Sequence, residues 1–251
     1  MLRLICFLIL ILTLSCGSSN DKNPHLKSGF GYVDVEGGEI WYGIIGEGDE
    51  PPYLYLHGGP GGKSIGGAYL NSISDSRPII LMDQLGSGLS TYHEDTTLLK
   101  VEKFVDQVKA LTDELNLNEF YLTGHSWGTA LALEYYLKYP DGVKGIVFNS
   151  PYFSTSIWVA DSDTLITQLP DTIQQHIAIA EQTSTFETRS YQNAMRTFYQ
   201  NFMIRSTDVN WDSILGYEIF NNSFSNMDIS GNNFIYNYMW GPSEFSPTGT
   251  L

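Results

Sequence analysis

Gly124-His125-Ser126-Trp127-Gly128 fits the pattern G-x-S-x-G. A serine held between two such glycines can accept an acyl group when a strand runs into the turn and a helix leaves it. Both conditions are expected, since residues 120–123 read as a strand and 127–139 as a helix stopped by Pro140. The glycines are needed because side chains would collide in so tight a turn. A helix N-terminus behind Ser126 favours developing negative charge, and the Trp127 backbone N–H is expected to point to where an oxyanion forms. The alternative is a strand-to-helix turn that carries the pattern by chance.

A second run, His57-Gly58-Gly59-Pro60-Gly61-Gly62, follows the short apolar stretch 53–56. A backbone N–H from this loop, that of Gly59, would complete an oxyanion hole. Pro60 has no N–H and stiffens the loop; the alternative is a purely structural glycine turn. His57 precedes the loop and reads as a bracing residue, and His125 as structural.

An activated serine needs a base, and the base an orienting acid. On folds with this turn the chain order is Ser, then Asp or Glu, then His. After Ser126 the one histidine is His176, inside an expected helix with no strand before it. The strand expected at 145–148 runs into Asn149-Ser150-Pro151, which offers no carboxylate. The triad acid and base are therefore expected to be absent from the chain.

The elements that must position these residues alternate. Residues 31–35 and 40–45 read as an antiparallel pair turned at Gly37-Gly38, and 53–56 and 78–82 as short buried strands. From 98 to 115, Val101, Phe104, Val105, Val108, Leu111 and Leu115 follow helical spacing. Strands alternating with helices argue for an α/β fold, a mostly parallel sheet with helices on both faces. After Pro151 the segments 170–180, 187–204 and 211–220 read as helices with no strong strand, a helical cap. The chain divides into 1–15, a signal peptide; 16–28, a tether; 29–151, the core; and 152–251, the cap and the start of a return to the core.

Composition narrows the class. Thirteen Lys+Arg stand against 28 Asp+Glu, a net charge of -15. Nucleic acid binding needs phosphates neutralised by Lys and Arg, so this balance excludes it. Both cysteines, Cys6 and Cys16, lie near the N-terminus, which leaves no disulfide framework or cysteine zinc site in the body. Arg3 followed by an apolar run from 4 to 14 reads as an export signal. Ser15-Cys16-Gly17 resembles the lipobox of bacterial lipoproteins, which implies lipidation at Cys16 and a place in the bacterial cell envelope, membrane-anchored. The alternative is an ordinary cleaved signal.

Taken in order and spacing, HGGPGG, Asp83-Gln84-Leu85-Gly86-Ser87-Gly88-Leu89-Ser90 and GHSWG resemble the proline iminopeptidase family of α/β-hydrolase serine peptidases. The likeness runs from about Gly29 to the end, through residues 191–205 and 239–245. It departs at Leu85 and Leu89, where the family often has arginine. The resemblance implies an α/β-hydrolase fold, release of an N-terminal residue, typically proline, from short peptides, Ser126 as nucleophile, and Trp127 and Gly59 N–H groups as oxyanion hole. It implies that a cap carboxylate, matched by Glu244, holds the substrate's free amino group. No metal or organic cofactor is implied, because the serine supplies the covalent chemistry. From 152 to 251 there are 10 acidic residues, 3 arginines, no lysine and 17 aromatics. That composition suits an amine and a proline ring, or else a solvated acidic surface over an aromatic cap core.

The family's cap leads back into two more strands and helices bearing the acid and the histidine, and this sequence ends at Leu251 before them. The expectation is a C-terminally shortened chain with those strands and helices missing, a fragment of an aminopeptidase. The competing readings are a non-catalytic, lipid-anchored peptide-binding remnant and an α/β-hydrolase esterase.

Overall fold

Short apolar runs bounded by proline and glycine become the strands of one sheet. The computed structural model describes residues 26–93 and 95–204. The strands are β1 (Gly29–Val35), β2 (Gly38–Ile45), β3 (Tyr53–Leu56), β4 (Ile79–Met82), β5 (Phe120–His125) and β6 (Val143–Asn149). Their order across the sheet is β1-β2-β4-β3-β5-β6. β1 and β2 pair antiparallel, β2 pairs antiparallel with β4, and β4, β3, β5 and β6 run parallel. The helices are α1 (Val101–Glu114), α2 (Trp127–Lys138), α3 (Thr155–Ile166), α4 (Asp171–Thr183) and α5 (Arg189–Phe202).

Every residue of β4, and all of β3 after Tyr53, is buried. Strands covered on both faces read as unbroken apolar runs, which is why they lack alternation. On one face Leu54, Leu56, Ile80, Met82 and Leu122 pack with Phe104, Val108 and Leu111 of α1 and with Leu131 and Tyr135 of α2. On the other, Tyr55, Ile79 and Leu81 pack with Leu70 of a 3-10 segment, Ser64–Ile73. The apolar stripe of α1 follows its helical period. α4 and α5 close a separate small cluster of Leu169, Ile177, Ala194 and Phe198.

Several elements differ from the sequence reading. β1 and β2 each begin two residues earlier than expected, so Glu36 and Gly37 make the turn. The 3-10 segment is not expected from the sequence, because Gly66, Gly67 and scattered polar residues hide any period. Nor is α3: its apolar residues Ile157, Trp158 and Val159 are consecutive, and all three are exposed. The helix expected at 211–220 lies outside the described residues.

The parallel strands deliver the three motifs to one end of the sheet. The glycine loop follows β3, residues 83–90 follow β4, and Ser126 follows β5. The carboxyl ends of parallel strands are where open α/β sheets place their sites.

Candidate active site

Ser126 joins β5 to α2 with φ 51 and ψ -121. A non-glycine residue there carries strain of about 1–3 kcal/mol and persists only where its surroundings over-determine it. They do so here. The Ser126 N–H donates to the Asn149 carbonyl at 3.0 Å. The Ser126 carbonyl accepts from the Thr129 N–H at 2.8 Å and from the Thr129 hydroxyl at 2.6 Å. The Thr129 hydroxyl oxygen in turn accepts from the Tyr152 N–H at 2.8 Å, which ties the elbow to the chain leaving β6. A Cβ on Gly124 would collide with the Gly128 carbonyl, and one on Gly128 with the Leu56 carbonyl of β3. The two glycines let α2 start hard against the sheet.

The glycine loop lies against this turn. A Cβ on Gly58 would stand 3.0 Å from His125 Nδ1 and 3.1 Å from Ser126 Cβ. The Gly62 N–H donates to the Gly58 carbonyl at 3.1 Å and closes the loop on itself. Gly59 has φ 122, which favours glycine, and the Gly59–Pro60 peptide is cis. Among the described residues, Ser126 and the loop that carries Gly59 therefore meet at one place.

The strap from Asp83 to Ser90 braces both. Asp83 Oδ1 accepts from the Ser64 N–H at 2.7 Å and Oδ2 from the Leu89 N–H at 2.9 Å. Gln84 is the link between the motifs. Its N–H donates to His57 Nε2 at 3.0 Å, its side-chain Nε2 donates to the His57 carbonyl at 3.1 Å, and its Oε1 accepts from Trp127 Nε1 at 2.9 Å. The Trp127 indole is fully buried and stands edge-on to Phe104, with centroids 5.8 Å apart. Sequence reasoning places Gln84 inside its motif but gives it no role. The signal is a polar residue directly after an apolar strand, which needs partners if buried.

The histidines separate by environment. His57 is 1% exposed. Its Nε2 accepts from Gln84, so the ring proton sits on Nδ1, which faces the Gly58 carbonyl at 2.8 Å. Burial pushes its pKa down from the ordinary value of 6.5, against the upward pull of that carbonyl and of Asp83. A neutral ring with both nitrogens engaged braces the loop. His176 is exposed on α4. No hydrogen bond reaches the Ser126 hydroxyl among the described residues. Leu85 is buried, its N–H donating to Gln107 Oε1 at 2.9 Å, while Leu89 is exposed. Cys16 and Glu244 lie outside the described residues. Among those residues no helix is long and apolar enough to cross a membrane, and no group of three His, Cys, Asp or Glu is placed to hold a metal ion.

Residues 51–229 match the model of the α/β hydrolase fold family. A proline iminopeptidase of Heyndrickxia coagulans is 36% identical over 223 residues, which is 88% of this chain and 74% of that protein. One of Lactobacillus helveticus is 32% identical over 226 residues, 88% of this chain and 73% of that protein. Among solved structures, VinJ superposes with a TM-score of 0.73 at 29% identity, covering 88% of this chain and 73% of its own. A proline iminopeptidase of Mycobacterium smegmatis gives 0.70 at 26% identity, covering 89% and 74%. The fold and the elbow define an α/β hydrolase, and within that class the chain belongs to the proline iminopeptidase family.

Proposed function

We propose that this chain carries the nucleophile and oxyanion hole of a serine aminopeptidase acting on short peptides with a free N-terminus, proline first among their leading residues. The observation that carries this reading is the strained Ser126 turn packed against the glycine loop. In the proposed reaction Ser126 Oγ attacks the carbonyl carbon of the leading residue. The oxyanion is received by the N–H groups of Trp127 and Gly59, at the N-terminus of α2 where negative charge is favoured. Collapse breaks the peptide bond, the shortened peptide leaves as an amine, and water hydrolyses the ester. Glu244 is the proposed anchor for the substrate's amino group.

The proton of Ser126 needs an acceptor. His57 is engaged in the loop and His176 is exposed on α4. Without base and acid, an oxyanion hole retains roughly 10³–10⁴-fold over water. Added imidazole should therefore raise the rate. Proline naphthylamide and p-nitrophenyl esters, offered to the 251-residue chain with and without imidazole, test the reading. Expected is imidazole-stimulated release of naphthylamine that exceeds ester turnover and is abolished by Ser126→Ala. Turnover of esters alone, or activity untouched by Ser126→Ala, overturns it. A second reading is a peptide-binding protein without turnover, since among the described residues no histidine is hydrogen-bonded to the Ser126 hydroxyl; binding of prolyl peptides with no imidazole response would select it.

For location, the proposal is a lipid anchor at Cys16, with residues 17–28 as tether, in a bacterial cell envelope. Polar, turn-rich composition supports the tether, and intact mass of the membrane-extracted chain tests the acyl group.

A further inference from the structure

The outer face of β1 carries two aromatic side chains in water. Phe30 is 75% exposed and Tyr32 48%. Alternation along a strand puts both on one face, away from Val33 and Val35, which pack on the side of α1. Across the register Tyr32 faces Trp41 and Phe30 faces Gly43. The Trp41 ring already covers Gly43, and it packs beside the Tyr55, Leu70, Ile79 and Leu81 cluster. Isolated exposed aromatics are ordinary. What singles these out is where the chain ahead of them ends.

Between Cys16 and Gly29 lie only residues 17–28. A random-coil tether of that length would span about 20 Å on average, from ~5–6 Å times the square root of its residue number. The Ser28 hydroxyl donates to the Gly46 carbonyl at 2.9 Å and pins the tether's end to the end of β2. Ile45 of β2 pairs with Ile79, the first residue of β4. The tether thus enters at the end of the sheet opposite Ser126.

We infer that Phe30 and Tyr32 rest in the headgroup region of the bilayer to which Cys16 is anchored, and hold the sheet with its Ser126 end turned to solvent. This rests on the anchor proposed above. Aromatic rings favour the membrane interface, where one part is apolar and the other wet. A chain of net charge -15 gains nothing from anionic lipid, so the contact is apolar and is not released by salt.

The test uses the acylated chain, extracted from membranes, confirmed by intact mass and placed in vesicles of phosphatidylcholine with increasing brominated phosphatidylcholine. Phe30→Trp adds indole emission to that of the parent, as does Ile179→Trp on exposed α4. Expected is bromolipid quenching of the emission added by Phe30→Trp, unchanged at high salt, with no quenching of the emission added by Ile179→Trp. Combining Tyr32→Ser with Phe30→Trp should weaken the quenching. An acylated chain in which both added emissions quench alike, or not at all, overturns the orientation and leaves the anchor standing. So does a chain that pairs through β1 into a dimer without quenching. A chain from membranes with no acyl group overturns both.

Discussion

At the scale of residues, Ser126 combines strain with position. Its φ of 51 and ψ of -121 suit glycine better than any side chain. Ser126→Ala keeps the strain and Ser126→Gly relieves it, so the glycine variant is expected to exceed the alanine variant in unfolding free energy by about 1 kcal/mol, measured by urea denaturation. Gln84 holds loop and elbow together through three hydrogen bonds. Gln84→Leu leaves the Trp127 indole N–H and the His57 carbonyl buried without these partners, and is expected to cost about 2–4 kcal/mol by the same measurement. His57 sets a pH dependence. Its pKa is lower in the folded chain than in the unfolded one, so the unfolded state takes the proton first as pH falls. Stability is whole above about pH 6.5 and falls below it, by at most about 1.4 kcal/mol per pH unit until the folded ring also titrates. Denaturation at stepped pH should show that slope, and His57→Gln should remove it.

At the scale of elements, the contact between α2 and β3 is made by backbone against backbone. Gly128→Ala drives a methyl group into the Leu56 carbonyl, which cannot retreat without moving a central strand. A loss of about 3 kcal/mol or more is expected. Gly145→Ala is the control, since its nearest neighbours are Tyr121 ring atoms at 3.4 Å and its φ is not positive; its melting temperature should stay within a few degrees. Elements are legible where one signal dominates. β3 runs from Tyr53 to Leu56 as the sequence predicts, because Pro51-Pro52 and Gly58-Gly59 bound an apolar run. α1 is legible from its stripe. α3 is not, because its apolar run Ile157-Trp158-Val159 is exposed and follows no helical period; a cap by Ser154, whose hydroxyl accepts from the Ile157 N–H at 3.4 Å, begins it instead. The 3-10 segment owes its place to Gly67 lying on the Tyr55 ring, a contact between residues no local pattern connects.

At the scale of the molecule, β6 is the last strand of the sheet among the described residues, and there Val147 is 45% and Phe148 40% exposed. An apolar edge is a template for pairing with another chain. Val147→Lys is expected to lower concentration-dependent light scattering without changing the melt. Both halves of the candidate site, the elbow and the glycine loop, are legible as motifs, since each is a local departure from ordinary composition. Their junction through Gln84, His57 and Trp127 is not, because it spans residues up to 70 apart in sequence and exists only once β3, β4 and β5 lie side by side. The central proposal is that Ser126 is a nucleophile served by the backbone N–H groups of Trp127 and Gly59. A fluorophosphonate, applied to the folded chain with imidazole and mapped by peptide mass, tests it most directly. The expected result is a single adduct on Ser126 that forms faster with imidazole and disappears on unfolding. No adduct, or adducts spread over other serines at the same rate, would contradict it.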